Sequence, residues 1–313
     1  MKRKITWLIL PGLIVINAIA YLHAYRFTHF SLSDDDARTK DPKELSTMGK
    51  LKVLFAGIDN PKPQHIQIPE RPFKTLHIKS DVTLEAWYIP AESARGTIVL
   101  FHGYAGEKSA LLSRAEEFYK LGYHTLLVDF MGSGGSEGNS TSIGFTESRE
   151  VKDAFDYVEA QGEKNIHLFG TSMGAAAVLK AIHDDQFEPS SIILECPFGS
   201  LQKTVSARFN MMGVPSFPMS YLLTFWGGAQ HGYWAFAHNP QEYALDVKCP
   251  TLILFGEKDN RVSMEETETL FNNLGGQKTL ATYPDEGHAL FTETNQSNWI
   301  RDVSKFLESI DPQ

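Results

Sequence analysis

Five short runs that are apolar at nearly every position recur along the chain: "GTIVLFHG" from Gly96, "HTLLVDFMG" from His124, "NIHLFG" from Asn165, "SIILECP" from Ser191 and "TLILFGE" from Thr251. A strand with one wet face alternates apolar and polar residues, so unbroken apolar runs of this length suit strands covered on both faces. Stretches of helical period lie around and between them: "EKSALLSRAEEFYKLG", "TESREVKDAFDYVEAQG" with Thr146 as the expected cap, "SMGAAAVLKAIHDD", "MEETETLFNNLGG" and "NQSNWIRDVSKFLESI". This alternation predicts an α/β chain, a mostly parallel central sheet with helices on both faces and right-handed crossovers. A hairpin, "TLHIKS" and "TLEAWYIP" turning at Ser80 and Asp81, precedes the first buried run, and "KTLATYPDEG" reads as a weaker last strand.

Around this block the 313 residues divide unevenly. Residues 1–26 open with Lys2, Arg3 and Lys4, and no further charge occurs until Arg26. A run of that length can cross a bilayer core of about 30 Å, and the leading cations favour keeping its start in the cytoplasm. Three readings stand: a retained signal anchor, a signal peptide cleaved near Ala18, Ala20 or Ala24, or an apolar helix docked on the domain or a partner. The first two place the rest of the chain at a membrane, or exported, outside the cytoplasm. Residues 27–74 carry the acidic "SDDDAR", an expected helix near 42–56 and the turn-rich "DNPKPQHIQIPERP", and read as a linker and peripheral segment. Residues 75–313 form the expected main α/β domain. Within it 198–246, dense in Phe, Tyr, Trp and Met, breaks the alternation, as a long crossover or a short lid with apolar substrate contacts would. The net charge of −9 with no basic stripe argues against a nucleic-acid partner. Cys196 and Cys249, the two cysteines, lack metal-type spacing and read as buried thiols, able to pair only if the fold brings them together.

"GTSMG", Gly170 to Gly174, puts Ser172 between a strand and a helix. An alcohol is a weak nucleophile at neutral pH, so a reactive serine needs a base, an acid to orient it, and donors for the developing oxyanion. The strand–turn–helix setting is what the G-x-S-x-G pattern requires. Asp259 in "GEKDNRV" and His288 in "YPDEGHALF" come in the loops after the next strands. Loops at the C-terminal ends of parallel strands share one rim, so topology can bring the three together. "LFHGYAGEKS" occupies the same rim, and the backbone N–H groups of Tyr104 and Met173 are the expected oxyanion donors; His102 is expected to bond structurally. Glu195, ending "SIILE", is a rival acid with an expected structural role near the serine turn. "GSGGSEG" lacks the spacing and the Lys-Ser/Thr ending of a phosphate cradle.

With "HGYAG", "DFMGSGGSEG", "GTSMG", "GEKD" and "EGHALF" in place, residues 75 to 310 resemble the α/β-hydrolase superfamily, and among its branches the compact-lid esterases, acyl-protein thioesterases and serine aminopeptidase-like enzymes. The resemblance implies Ser172 as nucleophile, His288 as general base, Asp259 as its orienter, and no cofactor. It also implies a serine hydrolase acting on an ester or thioester with an apolar acyl or leaving group. A peptidase or amidase would need an anionic group, such as Glu137, Glu195 or Asp246, to hold a substrate amine. A non-catalytic binding protein on the same fold is the third reading. Two departures from the family pattern stand out: Met131 replaces the arginine many relatives carry in the loop after the aromatic residue, and the HGGG triplet of one lipase group is absent.

Overall fold

The structure, a computed structural model, describes residues 2–33, 39 and 45–310. In chain order its main elements are α1 (Lys2–Thr28), α2 (Thr47–Ala56), β1 (Lys74–Lys79), β2 (Thr83–Ile89), β3 (Thr97–Phe101), α3 (Leu112–Lys120), β4 (His124–Val128), α4 (Glu147–Ala160), β5 (Ile166–Thr171), α5 (Met173–Asp185), β6 (Ser191–Glu195), α6 (Leu201–Met211), α7 (Met219–Gln230), α8 (Pro240–Tyr243), β7 (Thr251–Gly256), α9 (Met264–Asn273), β8 (Lys278–Tyr283) and α10 (Gln296–Ile310). Two compact units emerge: residues 1–61 with 201–238, and residues 62–200 with 239–313.

The second unit holds one eight-stranded sheet in the order β1-β2-β4-β3-β5-β6-β7-β8. β2 pairs antiparallel with β1 and with β4, and from β4 to β8 every pairing is parallel. The five apolar runs are β3 to β7, and their side chains are buried almost throughout. Leu100, Leu127, Phe169, Ile193, Leu252 and Leu254 form one cluster with Phe118 of α3 and Trp299, Val303 and Phe306 of α10. Trp299 meets the rings of Phe118 and Phe291 edge-on. Alternation sends Val99, Leu168, Ile192 and Ile253 to the opposite face, and they are equally buried. That face needs a second layer, and α4 and α5 also pack on the strands. The predicted sheet with helices on both faces is therefore the one observed.

Local departures from expectation have physical causes. Thr146 makes no side-chain cap on α4. The Glu147 carboxylate, an anion suited to a helix N-terminus, instead ties down the preceding loop, accepting from the N–H groups of Ser142 and Gly144. Residues 34–38 of the acidic cluster and the first part of the expected peripheral helix, 42–44, lie outside the described residues. The rest of that expected helix is α2, capped by Ser46, whose Oγ accepts from Gly49 N at 3.1 Å.

In the first unit α1 docks on α7. Trp226 Nε1 donates to Asn17 Oδ1 at 3.2 Å, Gln230 donates to the Tyr21 carbonyl, and the Tyr21 and Trp226 rings meet edge-on. Among the described residues no helix is long and apolar enough to cross a membrane. The α1–α7 contacts are of the kind the docked-helix reading expects. The aromatic interval supplies α6 and α7, and Phe217 and Trp234 stand 73% and 61% exposed.

The junction of β5 and α5 is closely packed against the end of β3. A Cβ on Gly174 would lie 2.4 Å from the Phe101 carbonyl oxygen and 2.8 Å from that of His102, both main-chain atoms that cannot yield. Helix propensity alone would make Gly174→Ala stabilising by up to about 1 kcal/mol. Overpacking against backbone should instead cost roughly 1–3 kcal/mol, read as a lower urea midpoint at unchanged slope; a midpoint equal to or above wild type would refute the close approach.

Candidate active site

Ser172 occupies a backbone that its side chain disfavours, with φ 50° and ψ −105°. A non-glycine residue at positive φ costs on the order of 1–3 kcal/mol and persists only where its surroundings over-determine it. Ser172 N donates to the Glu195 carbonyl at 2.8 Å, fastening the turn to the end of β6, and the Ser172 carbonyl accepts from Ala176 N, starting the helix. A Cβ on Gly170 would sit 2.6 Å from Ala175 N. The two glycines therefore let the helix fold back on the strand. A serine at a helix start ordinarily turns its hydroxyl onto the helix's own N–H groups; this one makes no such cap, leaving its hydroxyl for another partner.

That partner is His288. Ser172 Oγ and His288 Nε2 are 2.9 Å apart, and His288 Nδ1 lies 2.6 Å from Asp259 Oδ2. A carboxylate can only accept, so Nδ1 carries the ring proton and Nε2 is left to accept from the serine. Asp259 Oδ1 accepts from the N–H groups of Arg261 and Val262 at 2.7 and 3.1 Å, which fixes the carboxylate plane. Burial pushes the Asp259 carboxyl up, but the His288 bond and charge, with those two N–H groups, outweigh it and hold the group below the ordinary carboxylate range. The loops bearing Asp259 and His288 touch at Gly256, where a Cβ would fall 2.1 Å from the Gly287 carbonyl oxygen. Such an array can draw a proton from a serine hydroxyl and stabilise the imidazolium that results.

Tyr104 lies in the loop after β3 and Met173 opens α5, and a Cβ on Gly103 would stand 3.6 Å from Ser172 Cβ, so this loop lies against the serine turn. His102 is fully buried, with Nδ1 2.8 Å from the Gly103 carbonyl and Nε2 accepting from Phe130 N. Burial lowers its pKa, as befits a neutral structural imidazole. Glu195 is engaged on both oxygens, by Arg114 in a two-pronged pair and by Trp299 Nε1. The other anions named from sequence are also occupied: Glu137 accepts from Thr83 N and Asp246 pairs with His183. Cys196 and Cys249 are both buried and free, so the fold does not pair them.

Two features escaped sequence reading. Cys196, at φ 44°, places its thiol within 4.8 Å of donor atoms of Asp259 and His288. Burial, and next the Asp259 charge, push that thiol up, so it is protonated and stands beside the carboxylate as a neutral group. The second is a charge cluster around Lys108, which is wholly buried. Its Nζ lies 2.5 Å from Asp129 Oδ2, 2.7 Å from Glu85 Oε1 and 2.7 Å from His65 Nε2, with the Trp87 ring 4.4 Å away. His65, Glu85 and Asp129 are a compact donor set of the kind that holds a metal ion, but the ammonium occupies their centre. No residue spacing announced this, because its four members come from separate segments. A surface cavity of about 410 Å³, lined by Thr97 and His124 among others, is at the opposite ends of the strands, since those residues open β3 and β4.

Burial raises the Asp129 carboxyl, and His65, Lys108 and His102 together overcome that to bring it down to about 2. A carboxylate depressed from about 3.9 gives stability that is full above that value and is lost as pH falls toward 2. The stake is on the order of 2 kcal/mol. Wild type should therefore lose stability steeply between pH 4 and 2 in urea titrations, and Asp129→Asn should be less stable at pH 7 with a flatter acid limb. Parallel acid limbs would count against the ion cluster.

The geometry agrees with known proteins of one superfamily. A family model described as serine aminopeptidase, S33, matches residues 92–226. The chain is 24% identical over 231 residues to the uncharacterised protein YqkD of Bacillus subtilis (strain 168), covering 72% of this chain and 76% of that one. It is 27% identical over 206 residues to the lysophosphatidylserine lipase ABHD12 of Mus musculus, covering 60% of this chain and 48% of that one, so it spans about half the length of that relative. Among solved structures it resembles the Pyrococcus furiosus esterase Pf2001 with a TM-score of 0.68 at 22% identity, over 80% of this chain and 96% of that one. It also resembles the esterase EaEST of Exiguobacterium antarcticum, with a TM-score of 0.58 at 17% identity over 75% and 100%. These matches support hydrolase activity. By its sheet and its strand–serine–helix turn the chain has the α/β-hydrolase fold, and these likenesses support its place in that superfamily.

Proposed function

We propose that the protein is a serine hydrolase that cleaves an ester or thioester through an acyl-enzyme on Ser172. The observation that carries this reading is the unbroken line of hydrogen bonds from Ser172 Oγ through His288 to Asp259. In the first step Ser172 Oγ bonds to the substrate carbonyl carbon while His288 Nε2 takes the hydroxyl proton. The carbonyl oxygen becomes an oxyanion facing the N–H groups of Tyr104 and Met173. Collapse expels the alcohol or thiol, which leaves with the proton from His288. A water, deprotonated by His288, then releases the acid and frees Ser172.

An apolar acyl or leaving group is part of the proposal, supported by the aromatic composition of residues 198–246 and by a relative named as a lysophosphatidylserine lipase. The aminopeptidase reading draws on the family description, but Glu137, Glu195 and Asp246 each already have a partner, which weighs against it as an amine anchor.

A fluorophosphonate probe should label wild type at Ser172, located by peptide mass spectrometry, and leave Ser172→Ala unmodified; a folded wild type without adduct would return the protein to the non-catalytic reading. On a p-nitrophenyl ester, Asp259→Asn should lose about 10⁴ in kcat, because the imidazole loses its orienting anion and tautomer. Glu195→Gln should stay within about tenfold, since Glu195 meets Arg114 and Trp299 rather than the base. The reverse ranking would reassign the acid. A chain-length series that hydrolyses acetyl and long acyl esters equally well would remove the apolar-acyl part.

A further inference from the structure

We infer that Lys108 is a positioning residue for the oxyanion-binding loop, its buried ammonium serving as a built-in cation that locks residues 102–111 against residues 129–138. The inference rests on the acyl-transfer reading of Ser172.

The bonds bracket Tyr104 on both sides. Before it, His102 Nε2 accepts from Phe130 N at 3.1 Å. After it, one carboxylate holds both ends of Lys108: Asp129 Oδ1 accepts from Lys108 N at 2.6 Å and Oδ2 from the ammonium at 2.5 Å. Asp129 Oδ2 also accepts from Gly135 N at 2.9 Å, so the same anion fixes the glycine-rich turn of the neighbouring loop. A third segment clips over both loops. Gly134 N donates to the Pro63 carbonyl, Lys62 Nζ to the Ser136 carbonyl, and Ile66 N to Ser109 Oγ. His65 Nε2 lies between the ammonium and Asp129 Oδ2, at 2.7 and 2.8 Å, and serves the first as acceptor or the second as donor according to its tautomer.

A buried ion cluster is a poor source of stability, because desolvation offsets the Coulomb gain and apolar residues of equal volume often do as well. What a fixed cation with directed bonds adds is geometry. Donors must meet an oxyanion within a few tenths of an ångström, and misplacement by about 1 Å costs on the order of 100-fold. Met131 brings no charge to the loop after β4, and Lys108 supplies a cation to it through Asp129.

The test compares wild type, Lys108→Met and the charge-neutral pair Lys108→Met with Asp129→Asn, each checked for fold by circular dichroism. Rates of Ser172 phosphonylation by the fluorophosphonate probe, and kcat and KM on a p-nitrophenyl ester, are read for all three. The expected result is a loss of about 100-fold in phosphonylation rate and kcat with KM within about threefold. Should the single variant leave an uncompensated carboxylate and fail to fold, the neutral pair decides. Folded variants that react within threefold of wild type, or lose only KM, would overturn the inference while leaving the Ser172 reading intact. Failure of both variants to fold would also overturn it, making the cluster a fold determinant. Wild type that is not phosphonylated at Ser172 would sink the acyl-transfer reading itself, and the inference with it.

Discussion

The backbone at Ser172 is the constraint on which the rest of the site depends. A β-strand must end and a helix begin within one residue, and that residue must take a positive φ while carrying a side chain. Such a conformation is held from outside. Here the holders are the Glu195 carbonyl at the end of β6, the ends of β3 pressed against Gly174, and the start of α5 folded over Gly170. All three exist only when the parallel sheet is assembled. The strain is thus placed by the core, and it lifts the serine hydroxyl off its own helix and toward His288.

A second layer of order surrounds that turn. Glu195, whose carbonyl fastens Ser172, has its carboxylate spent on Arg114 and Trp299, and Trp299 is itself the aromatic centre of the core between α3 and α10. Packing on one face of the sheet is in this way coupled to the elbow through a single residue. Around the loop after β3, Asp129 plays a comparable part with Lys108, Gly135 and His65. Each of the two anions is buried and each is satisfied by more than one donor, as burial of a charge demands.

Much of this was legible in the sequence because it depends on pattern. Unbroken apolar runs announce strands covered on both faces, and the order β5–Ser172, β7–Asp259, β8–His288 reflects where loops must lie in a parallel sheet. Thr146 misled because the position before α4 looks like a cap, yet its hydroxyl meets Ser142 Oγ in the preceding loop instead of the helix N–H groups. The apolar N-terminal run was ambiguous for a related reason: length and hydropathy describe what a segment can enter, and a partner such as Trp226 on α7 is invisible until the chain has folded.

Sequence alone determined the sheet, the place of the serine turn and the residue types gathered on its rim, since periodicity and strand–turn–helix order are local properties. Only the tertiary structure decided which acid meets His288, which acids are already spent, that Cys196 stands beside Asp259, and that a lysine fills the centre of His65, Glu85 and Asp129. Those facts join residues from separate segments, and distance in space between such segments is set by the packing of the whole core.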